Sequence, residues 1–196
     1  MALRCFIAVE IPSPVKRSIG DMIEDLKKSG ADVKWVPHGN IHITLQFLGS
    51  TDESLLETLK DSLSKKLSRY SPFYIKISGV GCFPDERRPR VVWVGTHESG
   101  GVGDVQKDVE AEMMKFGFPS EERKFSPHLT IGRVRSQKGI PEMLRRLDEY
   151  RSVSFGDMEV KGVTLMKSEL KPAGAEYYPL AEIPFGGRND VKQGQD

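Results

Sequence analysis

Two stretches of this chain repeat one pattern. NIHITLQFLG (40–49) and FSPHLTIGRV (125–134) each set a His, a variable residue, a Thr and an aliphatic residue inside an apolar run. In a strand, residues two apart share a face. His42 and Thr44 therefore point one way, and Ile41, Ile43 and Leu45 the other. His128 and Thr130 share a face in the same manner, opposite Leu129 and Ile131. Each stretch reads as a half-buried strand, with branched apolar side chains on a core and a polar pair turned away from it. The chain has only four histidines, and two of them occupy matching strands 86 positions apart.

The segments around them predict an α+β fold. Leu3 to Ile11 reads as a buried strand. Ser13-Pro14 predicts a helix start with Ser as cap, and Val15, Ile19, Met22, Ile23 and Leu26 follow at helical spacing until Gly30. A short strand is expected at Val33 to Val36. Asp52 caps a second helix with Leu55, Leu56, Leu59, Leu63 and Leu67 inward. Strands are expected at Phe73 to Phe83 and Val91 to Thr96, joined by the loop PDERRPR. Gly100, Gly101 and Gly103 precede a third helix with Val102, Val105, Val109, Met113 and Phe116 inward. Ile140 to Tyr150 reads as a short helix, and Val153 to Met166 and Glu176 to Phe185 as two last strands. That makes at least six strands and four helices. Several consecutive strands lack the helix that a parallel crossover needs, so antiparallel pairing is expected. The order strand, helix, His-strand, then helix, His-strand hints at two lobes related by a twofold. One domain is expected over 1–185, with a disordered polar tail over 186–196.

The totals remove some functions. A net charge of +1 gives no global field for nucleic acid or membrane, although a local basic site stays open. With 38% apolar and 29% charged residues the chain has material for a real core. No apolar run approaches a membrane span, and MALRCFIAVEIP is too short and too acidic for a signal peptide, so a cytoplasmic protein is expected. Cys5 and Cys82 lie in apolar runs and read as buried free thiols.

One His-x-Thr in a strand is an ordinary solvated pair. Two copies with the same flanks suggest imidazoles that converge on one ligand. Imidazole titrates near neutral pH, and a proton on one disfavours a proton on its neighbour. Such a pair suits concerted acid–base work, one group taking a proton from water while the other gives one to a leaving oxygen. Two threonine hydroxyls suit nonbridging phosphate oxygens. The set fits an anionic phosphodiester attacked in line with neither metal nor covalent intermediate. Zinc wants three or four ligands. His38 and His42 are four apart, but Pro37 and Gly39 disfavour the helix that would align them. No nucleophile elbow or phosphate-binding Gly-rich loop is present.

The motifs HITL and HLTI resemble the paired signature of the 2H phosphoesterase superfamily. RCFIAVEIP, VKWVPHGNIHITLQFLG, GVGCFPDERRPRVVWVG, FSPHLTIGRVR and LMKSELKPAGAEYYPLAEIPF are similar, in the same order, to blocks of its RNA 2′,3′-cyclic phosphodiesterase branch, also described as 2′-5′ RNA ligase-like. The resemblance spans about residues 3–185. It implies a bilobal fold with a cleft between two antiparallel sheets and helices on the outside. It implies hydrolysis of an RNA 2′,3′-cyclic phosphate to the 2′-phosphate, with no metal and no nucleotide cofactor. His42 would be the proton donor to the 3′-oxygen and His128 the acceptor that activates water. Thr44 and Thr130 would hold the phosphate. Phe47 matches a family aromatic near the nucleoside, and Arg133 a family arginine at the phosphate. Simple alternation points Arg133 away from His128, so a bulge or the strand's end near Gly132 must re-aim it. The partner would be an RNA end, such as a tRNA fragment, met by a monomer that binds no membrane.

Weaker candidates remain. Glu86, Arg87, Arg88 and Arg90 form a charged loop that contacts RNA phosphates or is simply solvated. Trp35 stacks a base or packs under the His42 strand. Tyr177 and Tyr178 read as structural, and His97 as exposed. His38 stands where the family pattern has proline. Two other functions stay open: an RNA-end or nucleotide-binding module without turnover, and joining of RNA ends through a 2′-5′ bond by the same acid–base pair.

Overall fold

The computed structural model describes residues 2–97, 100–172 and 174–187. Along the chain lie β1 (Ala2–Glu10), α1 (Ser13–Lys27), β2 (Val33–Trp35), β3 (His42–Asp52), α2 (Leu56–Leu67), β4 (Phe73–Phe83), β5 (Val91–His97), α3 (Gly100–Met114), β6 (His128–Val134), α4 (Ile140–Asp148), β7 (Ser154–Val160), β8 (Gly162–Lys171) and β9 (Gly174–Pro184). The mixed α+β class and the antiparallel pairing agree with the sequence expectation.

The strands hydrogen-bond in the order β7-β4-β5-β6-β3-β1-β8-β9, and β2 pairs with β6. The order is symmetric about its centre. Helix α1 links the paired strands β1 and β3, and α3 links the paired strands β5 and β6. The pseudo-twofold hinted at by the repeated motif is therefore a property of the topology. Two separate sheets were expected, but the two halves join into one sheet. The join is narrow: β3 and β6 share one backbone pair, Ile43 with Leu129. Further along β6, β2 takes the place of β3, pairing Val33 to Trp35 with Val134 to Gly132. The two halves thus part immediately beyond their single point of contact.

Helices α1 and α3 each cross to the half of the sheet that their own linked strands do not form. Helix α1 packs on β7 and α4, and α3 packs on β3 and α2. Asp25 on α1 accepts from Arg146 at 3.1 Å and from Tyr150 at 3.3 Å. Asp108 on α3 accepts from Tyr70 at 2.6 Å and pairs with Lys66 of α2 at 3.2 Å. All four helices feed one large apolar core with the odd residues of β1, Cys5, Ile7 and Val9. The even residues Phe6 and Ala8 lie in a separate small cluster with Met166 and Tyr177. Among the described residues, the sheet therefore has a helix-covered face and a face without helices. Among the described residues, no helix is long and apolar enough to cross a membrane.

Several local expectations change. Pro12, not Ser13, occupies the cap of α1, with no side-chain cap bond. Asp52 does cap, accepting from the Ser54 amide at 3.0 Å, but through a 3₁₀ turn that leads into α2. The glycines expected to precede α3 lie within its first turn. The strand expected over Val153 to Met166 is two strands, since the chain leaves one half of the sheet at Val160 and enters the other at Gly162 with only Lys161 between. Of the expected tail, Gly187 donates to the Tyr70 carbonyl at 2.9 Å; residues 188–196 lie outside the described residues.

Candidate active site

The Ile43–Leu129 pair sets the geometry of the site. Both side chains are fully buried in the helix-covered core. Their neighbours His42, Thr44, His128 and Thr130 are half-buried on the opposite face. In antiparallel register this pairing puts His42 opposite Thr130 and Thr44 opposite His128. The two histidines are then diagonal neighbours, a relationship that spans roughly 7–8 Å in a regular ladder. One tetrahedral anion fits between two imidazoles at that spacing.

Both rings are held in the same way. His42 Nδ1 lies 2.8 Å from the Asn40 carbonyl, and His128 Nδ1 lies 2.7 Å from the Ser126 carbonyl. A carbonyl oxygen only accepts, so Nδ1 carries the proton in both rings. Each Nε2 is left as the atom that gains or loses a proton. The carbonyls are themselves anchored. The Asn40 side chain donates to Ala175 O on β9 at 2.7 Å, and Lys16 Nζ donates to Gly39 O at 2.9 Å. Thr96 Oγ1 donates to Pro127 O at 3.3 Å beside His128.

The surroundings of the two rings differ. His42 packs against Phe6, with centroids 4.8 Å apart, and meets the edge of Tyr177 at 5.2 Å. Burial depresses its proton affinity below the ordinary imidazole range; the Asn40 carbonyl opposes this, and the Lys16 charge adds to it. His128 meets Phe83 edge-on at 5.0 Å.

Bulges place the next residues. In β6, Val92 pairs with Gly132 and Trp93 with Thr130, so Ile131 is extra. The phase shifts by one, and Arg133, opposite Val91, joins the face of Trp93 and Thr130. This is the re-aiming that simple alternation lacks. In β3 the same happens: Ile7 pairs with Gln46 and Ala8 with Thr44, leaving Leu45 extra. Phe47 then faces Phe6 on the helix-free side, with ring centroids 6.0 Å apart. At 59% exposure, Phe47 is not core packing. Phe47 and Arg133 each stand five residues after a motif histidine and are twofold equivalents.

The remaining candidates separate. Trp35 packs on the large core and pairs with Gly132, away from the helix-free face. Tyr177, read from sequence as structural, touches His42. Glu86 pairs with Arg151 at 2.6 Å, and Asp85 accepts from the amides of Arg87 and Arg88, so the charged loop is a hydrogen-bonded turn. His97 is exposed, and His38 lies against Gly20 of α1. Both cysteines are buried and free, and burial pushes the Cys82 thiol up to about 12, which leaves no thiolate nucleophile there near neutral pH. Among the described residues, no three His, Cys, Asp or Glu side chains gather as a metal site.

A family model described as the 2′-5′ RNA ligase superfamily matches residues 12–172. An RNA 2′,3′-cyclic phosphodiesterase of Methanothermobacter thermautotrophicus is 36% identical over 177 residues, 90% of this chain and 96% of that protein. One from Aquifex aeolicus is 38% identical over 180 residues, covering 87% and 93%. Among solved structures, a Thermus thermophilus protein superposes with a TM-score of 0.74 at 29% identity, covering 94% of this chain and 99% of that one. Escherichia coli LigT, crystallised with 3′-AMP, shares the fold with a TM-score of 0.76 at 21% identity, over 95% and 100% of the two chains.

Proposed function

Because the chain belongs to the 2′-5′ RNA ligase superfamily, we propose that it is an RNA 2′,3′-cyclic phosphodiesterase that opens a terminal cyclic phosphate to the 2′-phosphate. The relatives named for that activity match nearly the whole chain. The observation that carries the reading is the matched anchoring of two imidazoles on one helix-free face, each with Nδ1 on a carbonyl and Nε2 left for proton transfer.

The phosphate sits between His42 and His128. The Thr44 and Thr130 hydroxyls donate to its nonbridging oxygens, and Arg133 supplies positive charge at the rim. The terminal nucleoside lies along Phe47 and Phe6. His128 Nε2 takes a proton from water as the water oxygen bonds to phosphorus. The P–O3′ bond breaks, and His42 Nε2 gives its proton to the 3′-oxygen. Burial makes His42 a poor proton holder in the empty cleft. An arriving phosphate anion offsets that and arms it as the acid. The chemistry needs neither metal nor nucleotide cofactor.

The test is an assay in EDTA with a short RNA ending in a 2′,3′-cyclic phosphate, with the 2′- and 3′-phosphate products resolved. Conversion to the 2′-phosphate by the wild type, lost in His42→Ala and in His128→Ala, is the expected result. Tight binding of the RNA end without conversion would instead make the cleft a binding module.

A further inference from the structure

Strands β8 and β9 run on beyond their ladder with β1. That ladder extends from Ala8 opposite Thr164 to Cys5 opposite Lys167. Arg4, Leu3 and Ala2 stay in the sheet against β3, so β8 leaves β1 there. Past Lys167, β8 and β9 continue as a two-stranded ribbon, from Ser168 opposite Tyr177 to Lys171 opposite Gly174. Leu170 near its tip is 72% exposed, so the ribbon stands off the core. A two-stranded ribbon has little stability of its own, and its place depends on what it touches. It bends across β1 onto the helix-free face, where the Asn40 side chain donates to Ala175 O at 2.7 Å. Two residues on, the Tyr177 ring lies 5.1 Å from Phe6 and 5.2 Å from His42, centroid to centroid, and stands at 88° to the imidazole. Phe6 lies against the same imidazole at 4.8 Å and 31°. The His42 ring thus touches one aromatic ring from β1 and one from the ribbon. On the other side of the cleft, Phe83, which touches His128, belongs to β4, a strand within the sheet.

We propose that Tyr177 is a positioning residue for His42, delivered to the imidazole by the β8–β9 ribbon. The proposal rests on the cyclic-phosphate reading above, in which His42 Nε2 protonates the 3′-oxygen. The Asn40 carbonyl fixes one atom of the imidazole, Nδ1. A ring held at one atom can still rock about its Cβ–Cγ bond. The Phe6 and Tyr177 planes, set at different angles to the imidazole, block that motion and keep Nε2 on one line. The same two rings keep water off the imidazole and so contribute to the burial that depresses its proton affinity. The charged groups beside His42 come from other elements, Lys16 from α1 and its strand partner Glu10 from β1, and a change at Tyr177 leaves both in place. The working part of Tyr177 is its ring, since among the described residues its hydroxyl has no hydrogen-bond partner. Tyr178 faces the other way. Its hydroxyl donates to Glu176, and Lys167 Nζ lies 5.5 Å from its ring.

The experiment is an NMR titration of the imidazoles in the full chain, beside kcat on a short RNA ending in a 2′,3′-cyclic phosphate. In Tyr177→Ala water returns to the ring, so the His42 titration should move up toward the ordinary value near 6.5. That of His128 should stay put. The kcat should fall about ten-fold with little change in KM, as for lost orientation. Tyr177→Phe keeps the ring and loses only the hydroxyl, and it should restore the His42 titration and most of kcat. Tyr178→Ala, on the opposite face of the ribbon, should move neither histidine. An unmoved His42 titration in Tyr177→Ala overturns the positioning role. So does a failure of Tyr177→Phe to restore it, an equal movement of His128, or the same shift in Tyr178→Ala. A wild type that leaves the cyclic phosphate intact, while Tyr177→Ala still moves His42 alone, overturns the cyclic-phosphate reading and keeps Tyr177 as the residue that holds His42.

Discussion

Ile43 of β3 faces Leu129 of β6 as the one backbone pair between those two strands among the described residues, and each carries a motif histidine immediately before it. That pair fixes the two backbones relative to each other, and the Asn40 and Ser126 carbonyls hold the two rings. The two should therefore act as a unit. His42→Ala and His128→Ala are each expected to lower kcat by about 10²–10⁴-fold. The double variant should fall little below the worse single one, because a half-removed pair is already out of use. Losses that multiply in single-turnover measurements would mean two independent contributions.

Asn40 reaches the chemistry only through His42. Its carbonyl accepts from His42 Nδ1, and its side chain hooks onto Ala175 O at the β8–β9 hairpin, 135 residues away. Removing the hook in Asn40→Ala frees the carbonyl that sets the tautomer. The expected result is a kcat lowered about ten-fold with KM changed less than two-fold, as for loss of orientation rather than binding. The ring ¹⁵N shifts of His42 should move toward mixed tautomers while those of His128 stay put. Equal movement at both histidines would reveal a general loss of structure instead.

Phe47 and Arg133 should behave as substrate contacts that the fold does not need. Phe47 is 59% exposed, and Arg133 is exposed too. Phe47→Ala and Arg133→Gln should each shift Tm by no more than a surface substitution does, within about 0.5 kcal/mol. KM for an RNA cyclic phosphate should rise in both. The Arg133 effect should shrink as salt is raised, and the Phe47 effect should not. A lower Tm without a change in KM would return either residue to a structural role.

The parts of this architecture legible in the sequence are those with a local cause. Alternation around His42 and His128 placed four side chains on one face, because the strand period is a property of the chain itself. The leucines of α2 and the valines of α3 reported their buried stripes for the same reason. What stayed hidden depends on the partner strand. The Leu45 and Ile131 bulges exist only relative to β1 and β5, so the orientation of Phe47 had no local signal, and that of Arg133 only the need for a bulge or a strand end. Tyr177 touches His42 across a long loop closure, and nothing in AEYYPL marks it. The break between β7 and β8 was invisible because the chain changes neighbours without a turn.

Buried His42 should also mark the pH dependence of stability. Burial, opposed by the Asn40 carbonyl and assisted by Lys16, sets its folded proton affinity below the ordinary value near 6.5. Between the folded value and that ordinary one, the unfolded chain binds more protons than the folded chain. Stability therefore rises with pH in this window. The contribution of a neutral His42 is complete above about 6.5 and is lost as pH falls through that value toward the folded one. The depressed carboxylates, including Asp25 and Asp108, lose their contributions only at lower pH, below the ordinary carboxylate range. His42→Gln has no such proton to take up. The Tm of the wild type minus that of the variant should accordingly shrink from pH 7.5 to pH 5.5, and inorganic phosphate should reverse part of the loss by favouring the protonated ring. A constant offset across that range would place the His42 side chain in water, with no burial to resist its charge.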